Sequence, residues 1–309
     1  MRFVFMGTPD FSVGIMEELI SMGHTCLMAV TQPDKPKGRG HEVAFPPVKE
    51  AALARNIEVI QPENVSDPEC VSKLKSLNAE VFVVAAYGQL LSEEVLAIPR
   101  YGCVNVHASL LPRYRGASPI QWAVINGDEV SGVTTMLMSK GLDTGDIIMK
   151  KEVALSPDET GGSLFDKLSR EGALLAVKTL NAISKGTATY EKQDDSLASY
   201  TGKIDKKFGK IDWNKDAASL ERLIRGLDPW PGTYTRIADK SLKIWKASVA
   251  AGEKGAEPGQ VIYKDKKTLK VQCGRDALNI LRLQLEGKKA MDTDAFLRGF
   301  NVSVGDILR

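Results

Sequence analysis

The N-terminal segment carries the pattern that most constrains the fold. A short apolar run over residues 1–6 ends at Gly7, and a helical spacing of apolar residues follows over residues 11–22. A second apolar run over residues 24–31 then completes a strand–helix–strand unit. Such a unit predicts an α/β domain built on a Rossmann-like parallel sheet with right-handed crossovers.

The same alternation continues along the chain. Further strands are predicted over residues 80–86, 102–106 and 133–138. Further helices are predicted over residues 47–55, 68–77, 117–126 and 163–184. Because open parallel sheets place ligands beyond the carboxyl ends of their strands, functional residues are expected directly after strands.

The loop after the first strand argues against a dinucleotide-binding enzyme. It reads Gly7-Thr8-Pro9-Asp10-Phe11 and lacks the Gly-x-Gly-x-x-Gly pattern that cradles a pyrophosphate. Pro9 and Phe11 would obstruct the close approach of the phosphates. A nicotinamide cofactor is therefore not expected.

The last third of the chain has a different pattern. A helix is predicted over residues 215–227, followed by five short strands over residues 233–237, 242–248, 259–263, 268–273 and 278–283. Five short strands at hairpin-like spacing predict a small OB-like β-barrel. We expect a catalytic domain over residues 1–189, a linker over residues 190–207 and the barrel domain over residues 208–309.

Charge is divided unevenly between the two parts. Residues 1–202 contain 19 Lys and Arg against 25 Asp and Glu, whereas residues 203–309 contain 22 against 14. A basic second part suggests a surface for a polyanion such as a nucleic acid. The alternative is chance variation among solvated lysines.

Other features indicate a cytoplasmic protein. No apolar run approaches the roughly 20 residues of a membrane helix, and the start of the chain reads as a strand rather than as a signal peptide. The four cysteines are far apart and form no Cys-x-x-Cys motif, so neither disulfides nor a zinc site is expected. A monomer is the expectation.

Residues 102–122 carry the clearest chemical signal. Asn105 and His107 lie two residues apart at the end of a predicted strand, so their side chains point to the same side. An amide can donate to an oxyanion and an imidazole can move a proton, which suits acyl-type transfer. The alternative for His107 is a structural, hydrogen-bonded histidine.

A glycine-punctuated loop over residues 141–146 follows another predicted strand. Its carboxylates, Asp143 and Asp146, could simply cap turns. Either could instead hold the imidazole of His107 in its working tautomer.

Two motifs together resemble the signature of the folate-dependent formyltransferases. They are Asn-x-His-x-Ser-Leu-Leu-Pro at residues 105–112 and Asp-Thr-Gly-Asp at residues 143–146. The resemblance implies 10-formyltetrahydrofolate as cosubstrate, with no metal, and Asn105, His107 and Asp143 as the catalytic trio. It also implies a folate site formed by Ser109, Leu110, Leu111, Pro112, Val84, Ala85, Tyr87 and Leu90.

Three further segments resemble the branch of this family that formylates the methionyl α-amine of initiator tRNA. They lie at residues 7–11, at residues 31–40, and near the domain junction at residues 210–213 and 228–232. The resemblance implies that a Gly/Pro-rich loop over residues 32–45 contacts the tRNA. The residues expected to bind tRNA are Arg39, Lys35, Lys37, Lys206, Lys207 and Lys210. The prolines and glycines of this loop predict neither helix nor sheet in it.

Two alternatives remain open at this stage. The chain could formylate an amino sugar nucleotide or another small amine, or it could be a non-catalytic RNA-binding protein. For Arg113 and Arg115, the expectation is the electropositive rim of the active-site cleft, with solvated loop charges as the alternative. Trp213 and Trp230 are expected in the core rather than as base-stacking platforms.

Overall fold

The computed structural model describes residues 1–37 and 42–309. The chain divides into two compact units. Unit 1 contains Met1–Pro119, Val130–Ala154 and Phe165–Thr201. Unit 2 contains Ile120–Glu129, Leu155–Leu164 and Gly202–Arg309.

The strands of unit 1 are β1 (Arg2–Gly7), β2 (Thr25–Val30), β3 (Lys35–Lys37), β4 (Glu42–Ala44), β5 (Val59–Ile60), β6 (Val81–Ala85), β7 (Cys103–His107), β8 (Arg115–Gly116), β9 (Val130–Leu137), β10 (Ile147–Ala154) and β11 (Tyr200–Thr201). Seven of them form one sheet in the order β10-β9-β7-β6-β1-β2-β5. The predicted α/β class with a largely parallel sheet is confirmed, since β7, β6, β1, β2 and β5 pair in parallel.

The helices of the first 184 residues follow the predicted pattern closely. They are α1 (Asp10–Ser21), α2 (Pro47–Ala54), α3 (Pro68–Ser76), α4 (Glu93–Leu96), α5 (Pro119–Asn126) and α6 (Gly161–Ser184). The short α4 has no counterpart among the predictions. No helix of residues 1–37 or 42–309 has the length and apolar character needed to cross a membrane.

Strand β1 explains why the first unit folds as a layered structure. Its residues Phe3, Val4, Phe5 and Met6 are all fully buried, as expected of a strand covered on both faces. A Cβ on Gly7 would lie 2.9 Å from the carbonyl oxygen of Ala85, so the turn out of β1 needs glycine.

Two predictions for unit 1 need correction. The prediction of no sheet over residues 32–45 is wrong, because β3 and β4 form an antiparallel ribbon with Pro36 opposite Val43. An isolated ribbon has only edge strands, where a proline is tolerated. In addition, β9 runs antiparallel to β7, and the unpredicted β10 runs antiparallel to β9.

From residue 217 onward, unit 2 contains α7 (Ala217–Gly226), β12 (Thr233–Ile237), β13 (Lys240–Ala250), β14 (Val261–Lys264), β15 (Leu269–Gln272), β16 (Ala277–Leu285), β17 (Met291–Asp292) and α8 (Thr293–Gly299). Its strands form an antiparallel sheet in the order β12-β13-β16-β15-β14, with β17 beside β16. The five predicted strands are all present, and β17 and α8 were not predicted.

The C-terminal residues close this sheet. Arg309 exchanges backbone hydrogen bonds with Arg236 of β12, and Asp306 accepts one from the N–H of Val261 in β14. Since β12 and β14 are the two edges of the sheet, the chain end bridges them. This closure agrees with the predicted small barrel.

Unit 2 has its own apolar core, to which α7 and Trp213 contribute. The indole N–H of Trp213 donates to Thr235 Oγ1 over 3.1 Å, and its burial confirms the prediction for this residue. The prediction for Trp230 is wrong, because its side chain is 51% exposed. Trp230 lies between Pro229 and Pro231 in an irregular turn, where no regular element holds the ring against the core.

Candidate active site

The end of β7 places Asn105 and His107 on one side of the sheet. Both side chains are almost fully buried. Asn105 is paired with Val84 of β6, and His107 is paired with Thr134 of β9. The two side chains are therefore held by neighbouring strands on both sides.

The ring of His107 has a defined tautomer. Its Nε2 lies 2.9 Å from the carbonyl oxygen of Tyr114. Because a carbonyl only accepts, Nε2 must carry a hydrogen. Nδ1 then carries the lone pair of the neutral ring, and it lies 3.7 Å from Oδ2 of Asp143. The ring can take up a proton at Nδ1, and the carboxylate would stabilise the resulting cation.

Asp143 links the other two members of the predicted trio. Its Oδ2 accepts a hydrogen bond of 2.8 Å from the N–H of Gly116, and its Oδ1 lies 3.4 Å from Nδ2 of Asn105. Asp146, the other candidate, contributes its carbonyl oxygen to the N–H of Leu137. The structure thus brings Asn105, His107 and Asp143 together and places Asp143 beside the imidazole.

The segment after His107 turns sharply, and its residues are either buried or half-buried. Ser109 is fully buried, and its hydroxyl donates to the carbonyl of Arg113 over 2.7 Å. Leu111 is also buried, and its N–H donates to Thr134 Oγ1. Leu110 and Pro112 are half-buried. Ser109 and Leu111 therefore shape the turn, while the other two offer apolar surface.

The residues expected near the folate after β6 are split between core and surface. Val84 and Ala85 are buried in the strand, and Tyr87 is buried with its hydroxyl lacking a partner among the described residues. Burial raises the pKa of Tyr87 above its ordinary value, so the phenol stays neutral. Leu90, in contrast, is 75% exposed. The stretch leaves the sheet through a turn at Ala86, whose φ is +45°.

The residues expected to bind tRNA fall into two groups in different units. Lys35 is exposed at the start of β3, and Lys37 ends that strand. Arg39 lies outside the described residues. The second group, Lys206, Lys207 and Lys210, is exposed around a single 3₁₀ turn of unit 2.

Arg115 was placed wrongly by sequence reasoning. It is not on an electropositive rim, because its side chain is only 1% exposed. Arg113, two residues earlier, is exposed as expected. The guanidinium of Arg115 donates to Gln193 Oε1 over 3.1 and 2.9 Å, to the hydroxyl of Tyr200 and to Asp195.

Sequence reasoning also missed the contribution of Gln193, Ser199, Tyr200 and Thr201 to the site. Tyr200 and Thr201 form β11, which pairs in parallel with Arg115 and Gly116 of β8. The N–H of Tyr114 donates to Ser199 Oγ over 2.9 Å. The polar composition of this stretch indicated a linker. No local signal links it to partners some eighty residues earlier.

The cysteines do not supply a nucleophile. Burial raises the pKa of Cys103, which lies in β7, to about 12, and the pKa values of Cys26 and Cys273 also to about 12. A thiol with such a pKa is neutral near pH 7 and reacts poorly. A cysteine nucleophile is therefore not expected at this site.

Known proteins resemble this chain over its whole length. The Formyl transferase model matches residues 1–180, and the Formyl transferase, C-terminal domain model matches residues 203–301. The methionyl-tRNA formyltransferase of Agathobacter rectalis is 55% identical over 305 residues, which is 99% of this chain and 98% of that protein. That of Caldanaerobacter subterraneus is 50% identical over 310 residues, covering 100% of both chains.

Solved structures with lower identity share the fold. The sugar 3N-formyl transferase WlaRD, crystallised with dTDP and 5-N-formyl-THF, superposes with a TM-score of 0.67 at 18% identity. That match covers 94% of this chain and 99% of WlaRD. With two family models covering both parts of the chain and full-length relatives at 50–55% identity, this chain belongs to the formyl transferase family.

Proposed function

We propose that this chain transfers the formyl group of 10-formyltetrahydrofolate to the free α-amine of methionyl initiator tRNA, which gives N-formylmethionyl-tRNA for translation initiation. The observation that carries the proposal is the convergence of Asn105, His107 and Asp143 at the end of β7. The full-length similarity to methionyl-tRNA formyltransferases supports the choice of acceptor.

The transfer begins when the neutral amine attacks the formyl carbon. A new bond forms between the amine nitrogen and this carbon, and the formyl oxygen becomes an oxyanion. Asn105 stabilises that oxyanion with the N–H that is not directed at Asp143. Such a donor acts strongly here because the side chain is only 8% exposed and water competes little.

His107 then moves the proton that the amine loses. The proton goes to Nδ1, since Nε2 is bonded to the carbonyl of Tyr114. The carboxylate of Asp143 stabilises the imidazolium across 3.7 Å. When the carbon–nitrogen bond to the folate breaks, the proton passes to the folate nitrogen, so that tetrahydrofolate leaves neutral at that atom.

The folate is expected to bind along the ends of β6 and β7. Leu90 and the half-buried Leu110 and Pro112 offer apolar surface for it. Val84, Ala85, Tyr87, Ser109 and Leu111 are too buried for broad contact, and we propose that they shape the wall of this site through the backbone. The aminoacylated acceptor end of the tRNA is proposed to contact Lys35, Lys37 and Arg39.

The basic second part is proposed to hold the body of the tRNA, with Lys206, Lys207 and Lys210 among its contacts. Their exposure leaves the ammonium groups available to phosphates. Catalysis is assigned to residues 1–189 and tRNA binding to residues 208–309, with residues 190–207 between them. A cytoplasmic monomer is proposed, and light scattering of the purified chain tests the oligomeric state.

The decisive test is formylation of charged initiator tRNA by the purified chain. The chain is incubated with 10-formyltetrahydrofolate and methionyl initiator tRNA. Mild base then releases the amino acid from the tRNA, and mass spectrometry measures its mass. N-formylmethionine is expected. Parallel reactions contain methionyl elongator tRNA, free methionine or an amino sugar nucleotide. Formylation of the amino sugar alone would support that alternative, and formylation of no acceptor would leave an RNA-binding role.

A further inference from the structure

The side chain of Gln193 connects a buried arginine with the loop that carries Asp143. Its amide nitrogen donates to the carbonyl oxygens of Asp143 and Gly145 over 2.8 and 2.7 Å. Its amide oxygen accepts two hydrogen bonds from Arg115. All four hydrogen-bonding positions of the amide are therefore used.

The orientation of this amide is fixed by chemistry. A guanidinium can only donate, so the atom facing Arg115 must be the oxygen Oε1. The –NH₂ group must then face the loop, where both neighbours are carbonyl oxygens that only accept. Any rotation that exchanged the two ends would create repulsion on both sides.

The loop around Asp143 needs such a support. Asp143 has a φ of +53°, in the left-handed region that non-glycine residues seldom adopt. Residues in this region persist where their surroundings hold them. A Cβ on Gly145 would lie 1.7 Å from the carbonyl oxygen of Leu137, so the loop is also packed tightly against β9.

The residues that hold Gln193 in place are themselves held by burial and by hydrogen bonds. Arg115 is 1% exposed and belongs to β8, the strand whose Gly116 donates to the Asp143 carboxylate. Glu191 exchanges two backbone hydrogen bonds of 2.8 Å with Ile147, which fixes the chain just before Gln193. The carbonyl and the carboxylate of Asp143 are thus held by one connected assembly.

We propose that Gln193, backed by Arg115, is a positioning residue that sets the Asp143 carboxylate against the imidazole of His107. The inference rests on the proposed function, because it assigns Asp143 a part in that reaction. Gln193 does not touch the reacting atoms, and it acts only through the Asp143–Gly145 backbone.

The substitution Gln193→Glu tests this with little change of shape. A glutamate keeps an oxygen toward Arg115 but cannot donate to the two carbonyls. We expect kcat for formylation to fall about 10- to 100-fold, since small displacements of a catalytic group have effects of this order. The KM for tRNA and the binding of tetrahydrofolate should stay unchanged. Lys192→Arg, at the neighbouring exposed position, is the matched control and should keep the wild-type kcat.

A double-mutant cycle with Asp143→Asn separates positioning from a general structural effect. If Gln193 acts through the Asp143 carboxylate, Gln193→Glu should cost little more once that carboxylate is gone. A full, multiplicative loss in the Asp143→Asn background, or a wild-type kcat for Gln193→Glu, would overturn the inference. If Gln193→Glu does not fold, Gln193→Met takes its place in the cycle, and failure of both to fold would assign Gln193 to stability alone.

The wild-type chain is assayed beside these variants. An active wild type with an additive cycle contradicts the positioning role and leaves the proposed function intact. A wild type that formylates no methionyl-tRNA contradicts the proposed function, and with it this inference.

Discussion

Replacing Arg115 with methionine should destabilise the first unit measurably. Methionine is unbranched and fills much of the same space, but it removes the charge and every donor of the guanidinium. In the native chain these donors serve Gln193, Tyr200 and Asp195. Burial opposes the charge of Arg115, but the hydrogen bonds to Asp195 and Tyr200 outweigh it, so the pKa of the guanidinium lies above its ordinary value. The native side chain is a cation at any working pH.

The size of the effect depends on which partners of Arg115 are buried, because a buried partner cannot replace the lost hydrogen bond with one to water. Gln193 is only 6% exposed, and an acceptor left buried without a partner costs about 1–3 kcal/mol. Asp195 is 79% exposed, so solvent screens its ion pair, and Tyr200 is also exposed. Their contacts add about 1 kcal/mol at most. The total of about 1–4 kcal/mol corresponds to roughly 2–16 °C in Tm for a unit of this size.

Calorimetry or circular dichroism during heating measures this shift on the full chain. The two units can unfold in separate transitions, so the transition of the first unit must be resolved before a Tm is assigned. Arg113→Met is the matched control, because it removes the same charge two residues away at an exposed site. The control should stay within about 0.5 kcal/mol of the wild type. Equal shifts for both variants would refute the idea that burial of the Arg115 contacts determines the loss.

Four further predictions concern activity and reactivity. Asn105→Ala should lower kcat about 10²–10³-fold and His107→Ala about 10²–10⁴-fold, with folate binding intact in both; near-normal turnover in either would contradict the mechanism. Arg39→Ala should slow formylation of initiator tRNA without changing folate affinity, and unchanged kinetics would argue against a tRNA contact. The affinity of the full chain for tRNA should fall steeply with added salt, because bound cations are released from phosphates; an affinity that does not change with salt would contradict tRNA binding by the basic second part. At pH 8 the native chain should barely react with a thiol reagent, because burial raises the pKa values of Cys26 and Cys103 to about 12, whereas the denatured chain should react with four equivalents.

The parts of the fold that the sequence predicts well are those with strong local patterns. Strand β1 has four consecutive buried apolar residues, and α7 buries Leu220, Leu223 and Ile224 along one face. Such periodicity needs no knowledge of distant partners. The apolar run around residues 102–106 likewise predicted the strand that carries Asn105 and His107 at its end, and strand ends in α/β sheets carry ligand-binding residues.

The elements that were missed lack this signal. β10 begins with buried Ile147 and Ile148, but Lys150, Lys151 and Glu152 are exposed in its middle. It is the strand at the edge of the sheet, beside β9, and charged residues are common at such edges. No alternation of apolar residues reveals it.

The burial of Arg115 could not be predicted from its neighbours in sequence. Arginine is seldom fully buried unless it is paired, and its partners Gln193 and Tyr200 follow 78 and 85 residues later. Both partners lie in a polar stretch without periodicity. A buried ion network assembled from distant segments leaves no local pattern to read.

Residues of that polar stretch hold the backbone around two members of the predicted trio. Ser199 holds the N–H of Tyr114, whose carbonyl fixes the tautomer of His107, and Gln193 holds the backbone of Asp143. Both contacts come from residues 191–201, which the sequence marks only as a connection. Because the tautomer of His107 and the placement of Asp143 depend on these contacts, the proposed catalytic geometry depends on Ser199 and Gln193 as much as on the strands.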